Sequence, residues 1–431
     1  MDTAGHAVVF SGATVGIGLL SLVFLPVPFV RGIGLGGLLI PFVSVLVAIT
    51  LLPVILATIG PRIDWPRLRK EDHMSAGWAA WTRGIVRWRW AAAAGAGALL
   101  VALVIAATTL SLGSPRANSL AKTGDAHDGL VALEDAGIGP GPLSPIEVLV
   151  PAAKADALRG QLAQVSGVRG AVAPDDAAWR RGDTAVIDVL PKDEQLAGHG
   201  RQTLDDVRAI VRPAGGDAGG QAAVSADFID ALYGNFPMAV AAIVVVTFAL
   251  LAVAFRSVLL PLKSVLLNLL SVAATYGIVV LIWQHGFGSH AIWGIDSTGA
   301  ITEWIPLMIF AFLFGLSMDY EVFILARIRE EYDATGSTHQ AVVAGIGRTG
   351  RLVTSAAMIL FLAFIVLSTA PDTSLKIVAT GLAAGILLDA TVVRSVLVPA
   401  LVALFGEWNW WAPSWGRRAS APAVRDAREA G

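Results

Sequence analysis

Along most of the chain, apolar residues come in runs of about 18 or more that charges rarely interrupt, the length a helix needs to cross a bilayer. Eight such runs predict membrane spans: Ala7–Leu25, Leu35–Ile59, Trp90–Leu110, Phe236–Phe255, Val265–Trp283, Trp304–Ala326, Leu352–Ser368 and Ile377–Phe405. The first reads as a span and not as a signal peptide, because no basic segment precedes it and Pro26–Arg31 offers no small-residue cleavage site. Residues 111–235 break the pattern and are polar enough to fold in water. There a strand Ile146–Val150, an amphipathic helix Lys154–Val165, strands Val168–Ala173 and Thr184–Leu190, a helix Gln202–Val211 and a last short strand at Ala222–Ser225 are expected. In Thr184–Leu190 the alternation puts Val186, Asp188 and Leu190 on one face. The order β-α-β-β-α-β is that of a ferredoxin-like split βαβ unit, more often a packing module than an enzyme.

The predicted fold class is therefore an α-helical polytopic membrane protein of eight transmembrane helices carrying one extracytoplasmic α+β ferredoxin-like domain. The expected organisation is two spans over residues 1–60, a cytoplasmic amphipathic linker over 61–89, a span over 90–110, the polar domain over 111–235, five spans over 236–406 and a cytoplasmic tail over 407–431. Orientation follows from Lys and Arg in the connections. With both termini inside, seventeen basic residues fall on cytoplasmic segments and only Arg31 and Lys376 on short outer loops. Trp residues at span ends (Trp88, Trp90, Trp283, Trp304, Trp408, Trp410 and Trp411) suit an interfacial belt, and Trp65–Trp90 reads as an amphipathic stretch on the cytoplasmic leaflet.

Composition agrees. The 431 residues are 55% hydrophobic and 15% charged, with a mean hydropathy of +0.68, displaced from soluble chains towards lipid. A net charge of −2 gives no basic attraction for nucleic acid. The absence of Cys removes disulfides, thiolate metal sites and cysteine nucleophiles together.

Ionisable groups inside spans carry the candidate chemistry, since each costs roughly 2.5–3.5 kcal/mol at a helix centre. Asp319 stands 15 residues from Trp304, about 22 Å along the helix at 1.5 Å per residue, where desolvation favours reversible protonation. Tyr320 offers a hydroxyl to hold or relay that proton. Gly315, four residues earlier on the same face, lets a neighbouring helix approach, and Gly381 with Gly385 forms another small-residue face. Glu321 is left open between the interior and the cytoplasmic interface. Asp389 and Arg394 are a second polar couple, in the last span. Five residues apart on an α-helix, they stand about 140° from a common face, so each is expected to reach a different neighbouring helix; Arg394 with Asp319 is one candidate pair.

Other signals are discounted. Gly345-Ile-Gly-Arg-Thr-Gly350 has the spacing of a dinucleotide fingerprint but lacks the preceding strand. There is no Walker lysine motif, and His285 with His290 on a Gly-rich loop is a poor metal set. No nucleophile–base constellation is visible. No catalytic residue, metal or cofactor is expected, and the chain is not read as an enzyme. An internal repeat is suggested where the second span closes Leu51-Leu-Pro-Val-Ile-Leu-Ala-Thr-Ile-Gly60 and the eighth closes Leu397-Val-Pro-Ala-Leu-Val-Ala-Leu-Phe-Gly406. Thr3-Ala-Gly-His with Ser11 likewise echoes Thr349-Gly-Arg with Ser355. Parallel duplication is a transporter habit.

Gly315-Leu-Ser-Met-Asp-Tyr-Glu-Val-Phe323, followed by Arg327-Ile-Arg-Glu-Glu331, resembles the MMPL (mycobacterial membrane protein large) family of the resistance-nodulation-division superfamily. Thr349–Ser355, Leu387-Leu-Asp-Ala-Thr-Val-Val-Arg394 and Trp408-Asn-Trp-Trp-Ala-Pro413 resemble it too. The resemblance implies proton-motive-force-driven export of lipids or other hydrophobic compounds across an actinobacterial-type inner membrane, the polar domain being a porter domain. It makes Asp319 and Tyr320 half of a proton relay, and Asp389, Arg394 and Arg327 supporting polar residues within the membrane. Family members have twelve spans, two porter domains and a second Asp-Tyr pair, whereas this chain opens at what looks like the fifth span. The expected partners are thus membrane lipids, a hydrophobic substrate, protons, and an N-terminal half or a second copy of the chain. The competing expectation is a non-transporting remnant or a scaffold associated with another transporter.

Overall fold

A computed structural model describes residues 2–63, 74–116, 119, 124–194 and 200–411, with their side chains except at 2–7, 10, 11, 14, 21, 60–63 and 319. All eight apolar runs are helical. They form α1 (Asp2–Val23), α2 (Pro28–Ile63), α4 (Arg89–Ala107), α8 (Gln221–Phe255), α9 (Leu259–Val279), α11 (Ile305–Thr335), α12 (Thr338–Leu367) and a last composite helix, with a short α10 (Ser289–Trp293) in the loop between α9 and α11. That helix consists of α13 (Thr373–Leu388), a π-helical segment Asp389–Leu397 and α14 (Val398–Phe405). Among the described residues seven of these are long and apolar enough to cross a membrane, and α1 is the eighth long helix.

Burial separates the spans by role. Along α2 none of the most apolar window is buried, whereas 56% of it is in α9, 65% in α11 and 72% in the last helix. The last three therefore form the inner bundle, and α2 is a peripheral helix laid on α1. Small residues set the closest crossing: a Cβ on Gly315 would lie 3.2 Å from Val15 Cα, and one on Gly18 would lie 2.9 Å from the Ala311 carbonyl oxygen. Here α1 and α11 meet backbone to backbone, as small residues permit in lipid. Gly381 and Gly385 of α13 leave room for Ile309 and Leu313 of α11 in the same way.

The polar insertion lies between α4 and α8. It holds α5 (Asp125–Asp135), β1 (Ile146–Pro151), α6 (Ala155–Leu162), β2 (Val168–Val172), β3 (Arg180–Arg181), β4 (Thr184–Pro191), α7 (Gly200–Val211) and β5 (Asp217–Gly219). The antiparallel order β2-β4-β1-β5, with β3 pairing β4, is the ferredoxin-like arrangement. Alternation buries Ile146, Val148 and Val150 of β1 with Ala185, Ile187 and Val189 of β4 against Leu158 and Leu162 of α6 and Leu204, Val207 and Val211 of α7. Val186, Asp188 and Leu190 share the opposite, half-buried face. The fourth strand differs from the sequence expectation: it is Asp217–Gly219, while Ala222–Ser225 opens α8. The chain turns at Gly220 (φ 85°), where a Cβ would meet the Pro145 carbonyl oxygen at 2.8 Å. Beyond the turn, burial of Ala222, Ala223, Ser225 and Ala226 follows a helical rhythm. Ion pairs fasten the domain to α8, Arg208 to Asp227 at 2.9 Å and Arg201 to Asp230 at 2.7 Å.

Two interfacial expectations need correction. Trp88, Trp90, Trp408 and Trp411 are exposed, but Trp283 is fully buried and donates its indole N–H to Thr380 Oγ1 at 2.7 Å. The amphipathic stretch forms α3 (Ala76–Arg87), whose Ala79 and Thr82 are buried, and Trp78 packs on Gly350 of α12. That face is covered by protein and not by a leaflet. Residues 65–73 of the stretch lie outside the described residues.

Candidate functional site

Three helices of the inner bundle bring polar side chains together. The first is α9, where Ser264, Asn268, Ser271 and Thr275 fall at i, i+4, i+7 and i+11 and are all buried. That spacing puts them on one stripe facing α11 and α13. Asn268 Nδ2 donates to the Phe314 carbonyl at 3.2 Å. The second is α11, which contributes Ser317, Tyr320 and Glu321. The third is the last helix, which contributes Asp389 and Arg394.

Asp389 and Arg394 form a buried ion pair, their side chains 11% and 4% exposed. This overturns the expectation that they reach different neighbours. The cause is the π-helical geometry of Asp389–Leu397. In such a segment each N–H bonds five residues back, so residues five apart stand nearly above one another. Ser317 completes a triangle: its hydroxyl donates to Asp389 Oδ2 at 2.8 Å and accepts from Arg394 at 3.0 Å, while its carbonyl accepts from the same guanidinium at 2.5 Å. Arg394 also lies over the Tyr320 ring, 5.1 Å from its centroid. A guanidinium cannot lose its proton in a protein, so in an apolar bundle it must be held by partners such as these.

One helical turn along α11, Glu321 is buried. That resolves its position in favour of the interior. Beside it on α9, Lys263 donates to Asn409 Oδ1, and Asn409 is itself anchored through Nδ2 to the Val402 carbonyl at 2.8 Å. Arg327 does not join the cluster: it is an exposed residue paired with Glu330 at 2.6 Å. The Asp319 side chain lies outside the described residues; its backbone belongs to α11. Tyr320 is half-buried and lines a small crevice with Asn268, Ser271, Ser317, Asp389 and Arg394. Among the described residues no group of three or more His, Asp or Glu is placed to hold a metal ion. The sequence reading missed the α9 stripe, although its helical spacing inside an apolar run is legible without coordinates.

A bundle of long apolar helices, a ferredoxin-like domain inserted between two of them and a buried charged cluster define a polytopic α-helical membrane protein. The sequence model of the MMPL family matches residues 1–92 and 160–425, and the chain belongs to that family. It is 36% identical over 448 residues to the mycolic acid-containing lipids exporter MmpL11 of Mycolicibacterium smegmatis, covering 96% of this chain and 45% of the relative. It is 36% identical over 441 residues to the heme uptake protein MmpL11 of Mycobacterium tuberculosis, with the same coverage. The chain thus spans about half the length of these relatives. Its fold is similar to the crystal structure of a heavy metal efflux pump, with a TM-score of 0.52 and 14% identity over 93% of this chain and 58% of that one.

Proposed function

We propose that this chain is the C-terminal portion of a proton-motive-force-driven exporter of lipids or other hydrophobic compounds in a bacterial inner membrane. The observation that carries the reading is the Asp389–Ser317–Arg394 triangle, packed against Tyr320 in the most buried part of the bundle. In this reading Asp319 takes up and releases the proton, and Tyr320 holds or relays it. Arg394, which lies over the Tyr320 ring and among the described residues contacts Asp389 and Ser317, passes the change of charge to the π-helical segment, a rare geometry that recurs at functional sites. Gly315, Gly381 and Gly385 keep the helices close enough for small shifts to be transmitted. The excess of Lys and Arg on one set of loops supports cytoplasmic termini and an extracytoplasmic sheet domain.

The test uses inverted membrane vesicles from cells producing the complete transporter that contains this chain, energised with a proton gradient and supplied with a fluorescent acyl lipid. Gradient-dependent accumulation is expected, and Asp319→Asn abolishes it while insertion into the membrane is unchanged. Undiminished accumulation in that variant refutes the relay. Accumulation of a heme analogue in place of the lipid keeps the proton coupling and refutes the lipid substrate.

A further inference from the structure

The crevice between α9, α11 and the last helix contains two polar atoms that the triangle does not use. Among the described residues, Asn268 Oδ1 and Arg394 Nε are both buried and both lack a hydrogen-bond partner. One is an acceptor and the other a donor, and the two residues line the same cavity. The orientation of the Asn268 amide is fixed by its surroundings: Nδ2 donates to the Phe314 carbonyl, and a flipped amide would set two acceptors against each other. Arg394 turns Nη2 to Asp389 and to both oxygens of Ser317, while its Nε–H has no partner among the described residues. A buried polar group without a partner costs about 1–3 kcal/mol, and more when charged, so two in one cavity call for a shared partner. The cavity measures about 20 Å³, room for one water molecule, whose needs are two to four polar neighbours.

We propose that this cavity binds a single water molecule which accepts from Arg394 Nε–H and donates to Asn268 Oδ1, and that Asn268 is its positioning residue. The second O–H of that water is left for the wall formed by Ser271, Tyr320 and Asp389. The water therefore joins the polar stripe of α9 to the ion pair of the last helix and to the tyrosine of α11. It gives Arg394 a contact that can exchange protons, which neither Ser317 nor Asp389 offers while they hold each other. Its role in proton transfer rests on the function proposed above; its presence does not.

The experiment is hydroxyl-radical footprinting of the full chain in lipid vesicles, with millisecond X-ray pulses in H2¹⁸O and mass spectrometry of the labelled peptides. Radicals made at a bound water mark the side chains beside it. Tyr320, Leu313 and Leu316 should carry label, whereas Leu251, packed in the dry core, should carry none. Asn268→Leu should lower labelling at those three residues to the level of Leu251, and Asn268→Ser, which keeps an acceptor, should retain it. Where Asn268→Leu does not fold, Asn268→Ala reads the same loss without added bulk. Wild-type labelling no higher than at Leu251, or labelling unchanged in Asn268→Leu, overturns the water site. Neither result depends on Asp319→Asn, so failure of the relay and failure of the water site are told apart.

Discussion

The ion pair between Asp389 and Arg394 makes a quantitative prediction about how the inner bundle is held. Removing one partner of a buried pair strands the other charge and costs about 3–5 kcal/mol, whereas replacing both with apolar side chains of similar volume is close to neutral. Asp389→Leu leaves Arg394 with Ser317 and the Tyr320 face; Arg394→Met leaves Asp389 with the Ser317 hydroxyl. The two losses are unequal for a chemical reason: a stranded carboxyl can take up a proton and become neutral, but a stranded guanidinium stays charged. Asp389→Leu is therefore the more damaging single change, and the double variant is more stable than either. The cycle should give a favourable coupling on the order of 3 kcal/mol or more. Equilibrium unfolding in mixed lipid–detergent micelles, followed by tryptophan fluorescence, measures all four species. A double variant that loses the sum of the two single losses would refute the pairing, and a larger loss in Arg394→Met would refute the assignment of the stranded charge.

Two further predictions concern the helix crossing and the sheet domain. Gly315→Leu pushes its side chain into the Val15 backbone and should cost about 1–3 kcal/mol or more by overpacking, while Gly32→Leu on α2, with nothing within 4 Å of its Cβ position, should be neutral; equal melting temperatures for the two variants would show that α1 and α11 do not cross closely. Asp188 faces Glu147 across the β1–β4 pair, and burial first, then the Glu147 charge, hold its carboxyl above the ordinary carboxylate range. A raised folded pKa means stabilisation that is complete below the unfolded value near 4 and is lost as pH rises through the folded one, so the domain weakens from pH 4 towards neutrality. Asp188→Asn should flatten that slope and gain a few tenths of a kcal/mol at pH 7, small because the group is largely solvated; hydrogen exchange of the β4 amides at pH 5 and 7 measures it, and an unchanged slope contradicts the assignment.

The eight helices and the ferredoxin-like sheet were legible because each rests on a periodicity that local packing enforces. A run of 18 apolar residues has few alternatives to a buried helix, and alternation in Thr184–Leu190 leaves one register that buries Ala185, Ile187 and Val189. The misplaced strand shows where that logic ends. Ala222–Ser225 is too short to show a period, so what decides its structure is the left-handed turn at Gly220 and the 35-residue helix it joins. Trp283 shows a second limit: a residue at the end of an apolar run suits the interface by composition, yet Thr380 on another helix draws it into the core.

The charged site exposes the deepest of these limits. The residues were identifiable one by one, because lipid penalises every ionisable group it surrounds and so leaves only those with partners or a role. Their pairing was not, because it was argued from an angle of 100° per residue, and the segment that carries Asp389 and Arg394 does not have that angle. No residue in Asp389-Ala-Thr-Val-Val-Arg-Ser-Val-Leu397 announces a π-helix; none is Gly or Pro. The widened turn brings Asp389 and Arg394 together, and Ser317 of α11 binds both, so the pair depends on a backbone geometry and a neighbouring helix that periodicity in the last span does not encode.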